Sequence, residues 1–337
     1  MIKQETTYPT KKMKRVAIIG GDTHSEQVTA LSGQTLKIIG VEDSLMRKLV
    51  PAGKFPDAVP FSNLNELLAK TKPDIIFVAN QNNLRAKTVS TILSRGIHVI
   101  VDKPMALNVE ELDNIRATLQ TSGARLLMLL TLRGDGWYRR VREIVASGEI
   151  GVPVQCHSKM SVALEPERRP KWILDRGIAG GLVLDISIHA IDTIEWITGL
   201  RFIAAAGCEG HFTHENIKNT SDAGAVFFEM DNGGSAILEH NRILPAGKKM
   251  DYRLDIVGTK GQISMRLNES IWLQTEKTES VLTSHEIEPS FSIVENWIES
   301  LDGSDPCAVG EEAALRANYV ACIAQRAVDI KERLTID

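Results

Sequence analysis

Val16-Ala17-Ile18-Ile19-Gly20-Gly21-Asp22-Thr23-His24-Ser25 is the stretch on which the reading of this chain turns. An apolar run passes straight into glycine, as a strand buried on both faces does when it enters a phosphate-binding turn. A dinucleotide fingerprint would place glycines two and five residues beyond the first. Asp22 and Ser25 stand there instead. The middle glycine lets backbone approach a pyrophosphate, and at about 4 Å a carboxylate in its place would cost about 4 kcal/mol at an effective dielectric of 20. Asp22 and Thr23 are also good N-cap residues, and Thr23-His24-Ser25-Glu26 has the capping-box pattern. Two expectations stay open: a self-capped helix that turns Asp22 away, or a loop closed to phosphate. Thr23, His24 and Ser25 carry side chains able to donate to phosphate.

Outward from the loop, residues 36–41, 75–79, 98–101 and 126–130 form further short apolar runs bounded by polar or glycine-containing turns. Helical candidates lie at 25–31, 63–69, 83–95 and 109–121. This alternation predicts an α/β Rossmann domain over 15–131, a doubly wound parallel sheet. Residues 1–14 read as a solvated tail. Past residue 131 the pattern changes. Helices are expected over 136–147, 181–197 and 311–333, with a strand after Pro153 and strands at 223–230, 234–241, 252–258, 262–267 and 270–274. Asp231-Asn232-Gly233 and Gly258-Thr259-Lys260-Gly261 are hairpin signals. Residues 132–337 thus read as an α+β domain with a mostly antiparallel sheet.

Composition narrows the function. Of 337 residues, 43% are hydrophobic and 24% charged, as in an ordinary globular protein. A net charge of −4 offers no basic field for nucleic acid or anionic membrane. No apolar run reaches the roughly 20 residues of a membrane span, and residues 1–14 lack a signal-peptide core. The four scattered cysteines suit reduced thiols in a cytoplasmic protein and form no metal-binding pair.

Three constellations carry chemistry. Asp43, 23 residues past Gly20 and next to Glu42, is placed for an adenosine ribose; a carboxylate there favours NAD over NADP. His98-Val99-Ile100-Val101-Asp102-Lys103-Pro104 is a strand whose end puts Lys103 in the crevice where open α/β sheets bind ligands, with Pro104 closing the ladder. Gly180-Gly181-Leu182-Val183-Leu184-Asp185-Ile186-Ser187-Ile188-His189-Ala190-Ile191-Asp192 is an apolar helix with Asp185, His189 and Asp192 as one polar stripe. Buried polar groups of this kind form a core network or serve a site.

These motifs resemble the Gfo/Idh/MocA family, named for glucose–fructose oxidoreductase and inositol dehydrogenase. Asp102-Lys103-Pro104 mirrors its glutamate-lysine-proline motif; Gly180-Gly181, Asp185 and His189 mirror its glycine-pair, aspartate and histidine motif. The resemblance implies that Lys103, Asp185 and His189 are catalytic, that the second sheet is large and open-faced, and that the chain forms a homo-oligomer, a dimer or tetramer. His189 would take a hydroxyl proton near its ordinary pKa of about 6.5, Lys103 would steady the oxygen, and Asp185 would orient substrate or balance charge. Relatives usually have proline and then histidine after the fourth strand, where this chain has Asn80-Gln81-Asn82-Asn83-Leu84-Arg85. Asn80 and Asn82 are candidates for the nicotinamide ribose, while Arg85 reads as an anion contact or a solvated turn. Arg133, Tyr138, Trp172 and Asp192 are candidates for the substrate wall. The expected function is NAD-dependent oxidation of a secondary hydroxyl on a sugar, cyclitol or polyol, with no metal. Two alternatives accompany it: a binding or sensor protein without cofactor, and a glycosidase using transient oxidation by tightly held NAD.

Overall fold

Six short runs of aliphatic residues have nowhere to turn a polar face, so they stack as a sheet covered on both sides. In the computed structural model, which describes residues 13–21, 23–44, 54–217, 219–303 and 307–337, these are β1 (Lys14–Gly20), β2 (Leu36–Glu42), β3 (Val59–Phe61), β4 (Ile75–Ala79), β5 (His98–Val101) and β6 (Leu126–Met128). All pairs are parallel and the order is β3-β2-β1-β4-β5-β6. The order reverses between β1 and β4, which opens a crevice at their carboxyl ends.

The second sheet has nine strands: β7 (Pro153–Ser161), β8 (Phe202–Gly210), β9 (Ala223–Met230), β10 (Ser235–Asn241), β11 (Asp251–Gly258), β12 (Gly261–Arg266), β13 (Ser270–Thr275), β14 (Glu279–Leu282) and β15 (Leu334–Thr335). Their order is β14-β13-β12-β11-β7-β10-β9-β8-β15, antiparallel throughout except for the β7–β10 pair. One face packs on helices; the other exposes Phe227 opposite Ile237, and Trp272.

The helix expected over 181–197 is two elements. Val183–Ser187 winds as a π-helix and continues into the α-helix Ile188–Thr198. Before it, Gly181 has φ +115° and a Cβ there would meet the side chain of Gln325 at 2.4 Å, so only glycine fits. The closing helix runs Glu311–Ile330 and packs against both bodies. Its buried Asn318 accepts from the Met105 amide at 2.8 Å and donates to the Ala106 carbonyl at 3.0 Å. That ties the chain just after Lys103-Pro104 to the last helix.

Candidate active site

Lys103 follows β5 and its peptide bond to Pro104 is cis. Its Nζ donates to Asp185 Oδ1 at 2.9 Å and to the Asp185 carbonyl. The other carboxylate oxygen, Asp185 Oδ2, accepts from Arg242 Nε at 3.0 Å and from Arg242 Nη2. Burial alone would raise the Asp185 carboxyl, but Arg242 and Lys103 outweigh it and hold the group well below the usual carboxylate range. Arg242 lies just past β10 and is 5% exposed.

His189 stands on the next turn of the helix, beside these charges, and its Nδ1 is buried without a hydrogen-bond partner. It makes no bond to Asp185. Burial, then the Lys103 and His24 charges, push the imidazole down to about 3. The ring is therefore neutral at physiological pH, with a lone pair free, rather than half-titrated near neutrality as expected.

Asp102 forms the other half of the site. Its Oδ1 accepts from His24 Nδ1 at 2.9 Å and from the Lys103 amide at 2.8 Å; its Oδ2 accepts from Thr23 Oγ1 at 2.7 Å. Burial opposes ionisation here too, and His24, Arg85 and Lys103 overcome it. The expected capping box is absent, because Thr23 spends its hydroxyl on Asp102. Ser25 precedes the one-turn helix Glu26–Thr29 without a side-chain cap bond. Asp22 lies outside the described residues.

The glycine loop itself is shaped by its neighbour strand. Gly20 has φ +70°, and a Cβ on it would meet the Asn80 amide at 2.4 Å and the Ala79 carbonyl at 2.5 Å. Its amide donates to Glu42 Oε2 at 2.7 Å, whereas Asp43 accepts from Ser62 Oγ at 2.8 Å. The carboxylate that reaches the loop is thus Glu42, the last residue of β2, and Asp43 points to the sheet edge. Successive residues leaving a strand face opposite ways, which explains the exchange.

Arg85 is neither an exposed anion contact nor a solvated turn residue. It is 0% exposed and donates to the carbonyls of Asn80 at 2.6 Å, Pro104 at 2.9 Å and Asp102 at 3.4 Å, tying the ends of β4 and β5 together. Asn82 bridges the bodies through Ala179 O at 2.8 Å, and both Asn80 Oδ1 and Asn82 Oδ1 are buried without partners.

Thr23, His24, Asn82, Asp102, Lys103, Asp185 and His189 line one cavity of about 160 Å³, together with Arg169, Trp172, Arg242 and Tyr252 from the second body. Three of the expected wall residues lie elsewhere. Tyr138 is a core residue, 1% exposed, its hydroxyl pushed up by burial. Arg133 and Asp192 form a bidentate ion pair, at 2.9 Å (Nε–Oδ2) and 2.7 Å (Nη2–Oδ1), on a separate cavity under the closing helix. Asp192, three residues beyond His189, has its carboxylate turned to Arg133 instead. Arg169 and Arg242 were not legible as site residues, since only the β-sheet brings them to Asp185. Among the described residues no cluster of three His, Cys, Asp or Glu side chains is placed to hold a metal ion. No described helix is long and apolar enough to cross a membrane.

Two family profiles match the chain: an oxidoreductase family with an NAD-binding Rossmann fold over residues 14–130, and a GFO/IDH/MocA C-terminal domain over 138–264. A myo-inositol 2-dehydrogenase of Thermotoga maritima is 23% identical over 256 residues, 74% of each chain. An oxidoreductase structure from Thermotoga maritima superposes with a TM-score of 0.87 at 24% identity, over 96% of this chain and all of that one. An Agrobacterium radiobacter oxidoreductase, solved with NAD+, L-tartaric acid and magnesium, gives 0.83 at 15% identity over 96% and 98% of the two chains. At these identities the structures establish the fold.

Proposed function

Because the chain belongs to the Gfo/Idh/MocA family of oxidoreductases, with its NAD-binding Rossmann fold, we propose that it oxidises a secondary hydroxyl of a sugar, cyclitol or related polyol, with NAD as hydride acceptor. The observation that carries this reading is the junction of Lys103, from the end of β5, with Asp185, Arg242 and an unpartnered His189 from the second body. The two bodies each supply half of an acid–base set.

The residues at the strand ends fit a dinucleotide. Asn80 Oδ1 and Asn82 Oδ1 are buried acceptors awaiting donors, as a ribose hydroxyl or carboxamide would supply. Residues Gly20, Thr23, His24 and Ser25 would face the phosphates, with Asp22 in the same loop. Glu42 at the end of β2, which reaches the loop in place of Asp43, would face the adenosine ribose, and a carboxylate there disfavours a 2′-phosphate. Pro104 and Lys103 would border the nicotinamide. When bound, NAD would supply the acceptor for a hydride from the carbinol carbon.

This chain's own groups manage the proton. Lys103 donates a hydrogen bond to the substrate oxygen and steadies the charge that develops there. His189, neutral and free, accepts the hydroxyl proton as the carbon–hydrogen bond breaks. Asp185 keeps Lys103 and Arg242 apart and in place. Trp172 offers a ring against the sugar face. The exposed face of the second sheet, with Phe227, Ile237 and Trp272, is our proposed homo-oligomer contact.

The test is a screen of sugars and polyols for NADH absorbance with the wild-type protein, Lys103→Met and His189→Asn. Turnover of a substrate that falls at least about a hundredfold in both variants is expected. Full activity in both would refute the assignment.

A further inference from the structure

The charges in the active-site cavity do not balance. Its lining holds three cations, Lys103, Arg169 and Arg242, against two carboxylates, Asp102 and Asp185. Both carboxylates are already committed. Asp185 gives one oxygen to Lys103 and the other to Arg242, and Asp102 gives its pair to His24, Thr23 and a backbone amide. His189 adds no negative charge. Arg169 is left over.

Its own bonds confirm the excess. Arg169 Nε donates to the Leu164 carbonyl at 2.6 Å and Nη2 to the Ala163 carbonyl at 3.4 Å, and it pairs with no carboxylate among the described residues. A guanidinium has five N–H donors, so part of its fork remains unspent. Around it stand Val162, Trp172, Ile173, Met250 and Tyr252, a largely apolar wall that weakens solvent screening. Burial and then the Arg242 charge push the Arg169 guanidinium down, against the smaller opposing pull of Asp185 and Glu165. Such a group is costly unless an anion completes it.

We propose that the substrate is an anionic polyol, a hydroxylated chain or ring bearing a carboxylate or phosphate, whose anionic group pairs with Arg169 while the reacting hydroxyl meets Lys103 and His189. The inference rests on the oxidoreductase reading for the hydroxyl end and on the charge count for the anionic end. Thr23 and His24 of the glycine loop line the same cavity as Arg169, so the NAD arm of the experiment separates a substrate anion from a dinucleotide phosphate.

The experiment uses matched probes on the full chain with NAD: D-gluconate and sorbitol 6-phosphate against sorbitol, and D-glucuronate and glucose 6-phosphate against glucose. Binding is read by calorimetry and turnover by NADH absorbance, for wild type, Arg169→Gln and Arg169→Lys. The expected result is that at least one anionic probe binds about tenfold or more tightly than its neutral partner. Arg169→Gln should erase that preference through KM, with kcat and NAD affinity little changed, and Arg169→Lys should restore part of it. The ratio of carboxylate to phosphate then identifies the anionic group. Equal or better binding of the neutral partners overturns the proposal. So does a loss in Arg169→Gln that falls equally on neutral and anionic probes, or on NAD. Arg169-dependent anion binding by a protein that binds no dinucleotide would leave the anionic end of the inference standing and remove the oxidoreductase reading, and with it the reacting hydroxyl.

Discussion

His189 behaves differently in place than its residue type suggests. Held at about 3 by burial and by Lys103 and His24, it stays neutral where the unfolded chain, with a pKa of about 6.5, takes up a proton. The unfolded state therefore binds more protons between these values, and stability falls as pH drops from about 6.5 toward 3, by up to about 1.4 kcal/mol per unit. Above about 6.5 the contribution is constant. Denaturant midpoints between about pH 4 and 7 should fall less steeply in His189→Asn than in wild type. The same value predicts no acid limb in kcat/KM from His189 between about pH 5 and 8. A limb near 6.5 that vanishes in His189→Asn would show that the ring titrates normally. Lys103, Asp185 and His189 stood out in the sequence because charged residues inside apolar runs need a reason. Their partner Arg242 did not, since an arginine after a strand is unremarkable until the sheet delivers it to Asp185.

At the scale of elements, the tips of β1, β4 and β5 are locked to one another by backbone and by Arg85. Gly20 cannot carry a Cβ beside the Ala79 carbonyl and the Asn80 amide. Gly20→Ala should lower stability by about 1–3 kcal/mol through that clash and its left-handed φ, measurable by urea denaturation. Arg85→Met keeps the apolar stem but strips three carbonyls of their donor. We expect a loss of about 2–4 kcal/mol and a lower kcat as Lys103 loses its footing. An unchanged melting curve would mean that water replaces the guanidinium. The strands of the first sheet were legible because an apolar run of this length has only one economical use. β3 was not: Val59–Phe61 is three residues long with Pro60 inside it. β8 was hidden too, since Phe202–Gly210 is rich in alanine and glycine and gives no strand signal. The helix after the glycine loop, read over 25–31 with self-capping as one of two open alternatives, is a single turn, Glu26–Thr29, without a side-chain cap bond. Thr23 and His24 reach across to Asp102 instead, a contact 79 and 78 residues away that no local pattern announces.

The whole molecule is closed by the helix Glu311–Ile330, which reaches back from the second body to the segment after Lys103. Asn318 makes that join with bonds to Met105 and Ala106, wholly out of solvent. Asn318→Ala would strand those backbone groups, and we expect about 2–4 kcal/mol of lost stability together with reduced turnover. Loss of stability with kcat intact would show that the join supports the fold without setting the site. On the outer face of the second sheet, Phe227 and Ile237 sit opposite each other and exposed. Replacing both by aspartate should shift sedimentation from oligomer to monomer; an unchanged boundary would place the contact elsewhere. All of this geometry serves one claim, that the altered glycine loop still admits a dinucleotide beside Lys103. Calorimetric titration of the protein with NAD, NADH, NADP and NADPH tests it most directly. Saturable binding of NAD and NADH, tighter than that of the phosphorylated pair, is the predicted result; no heat from any of the four would contradict it.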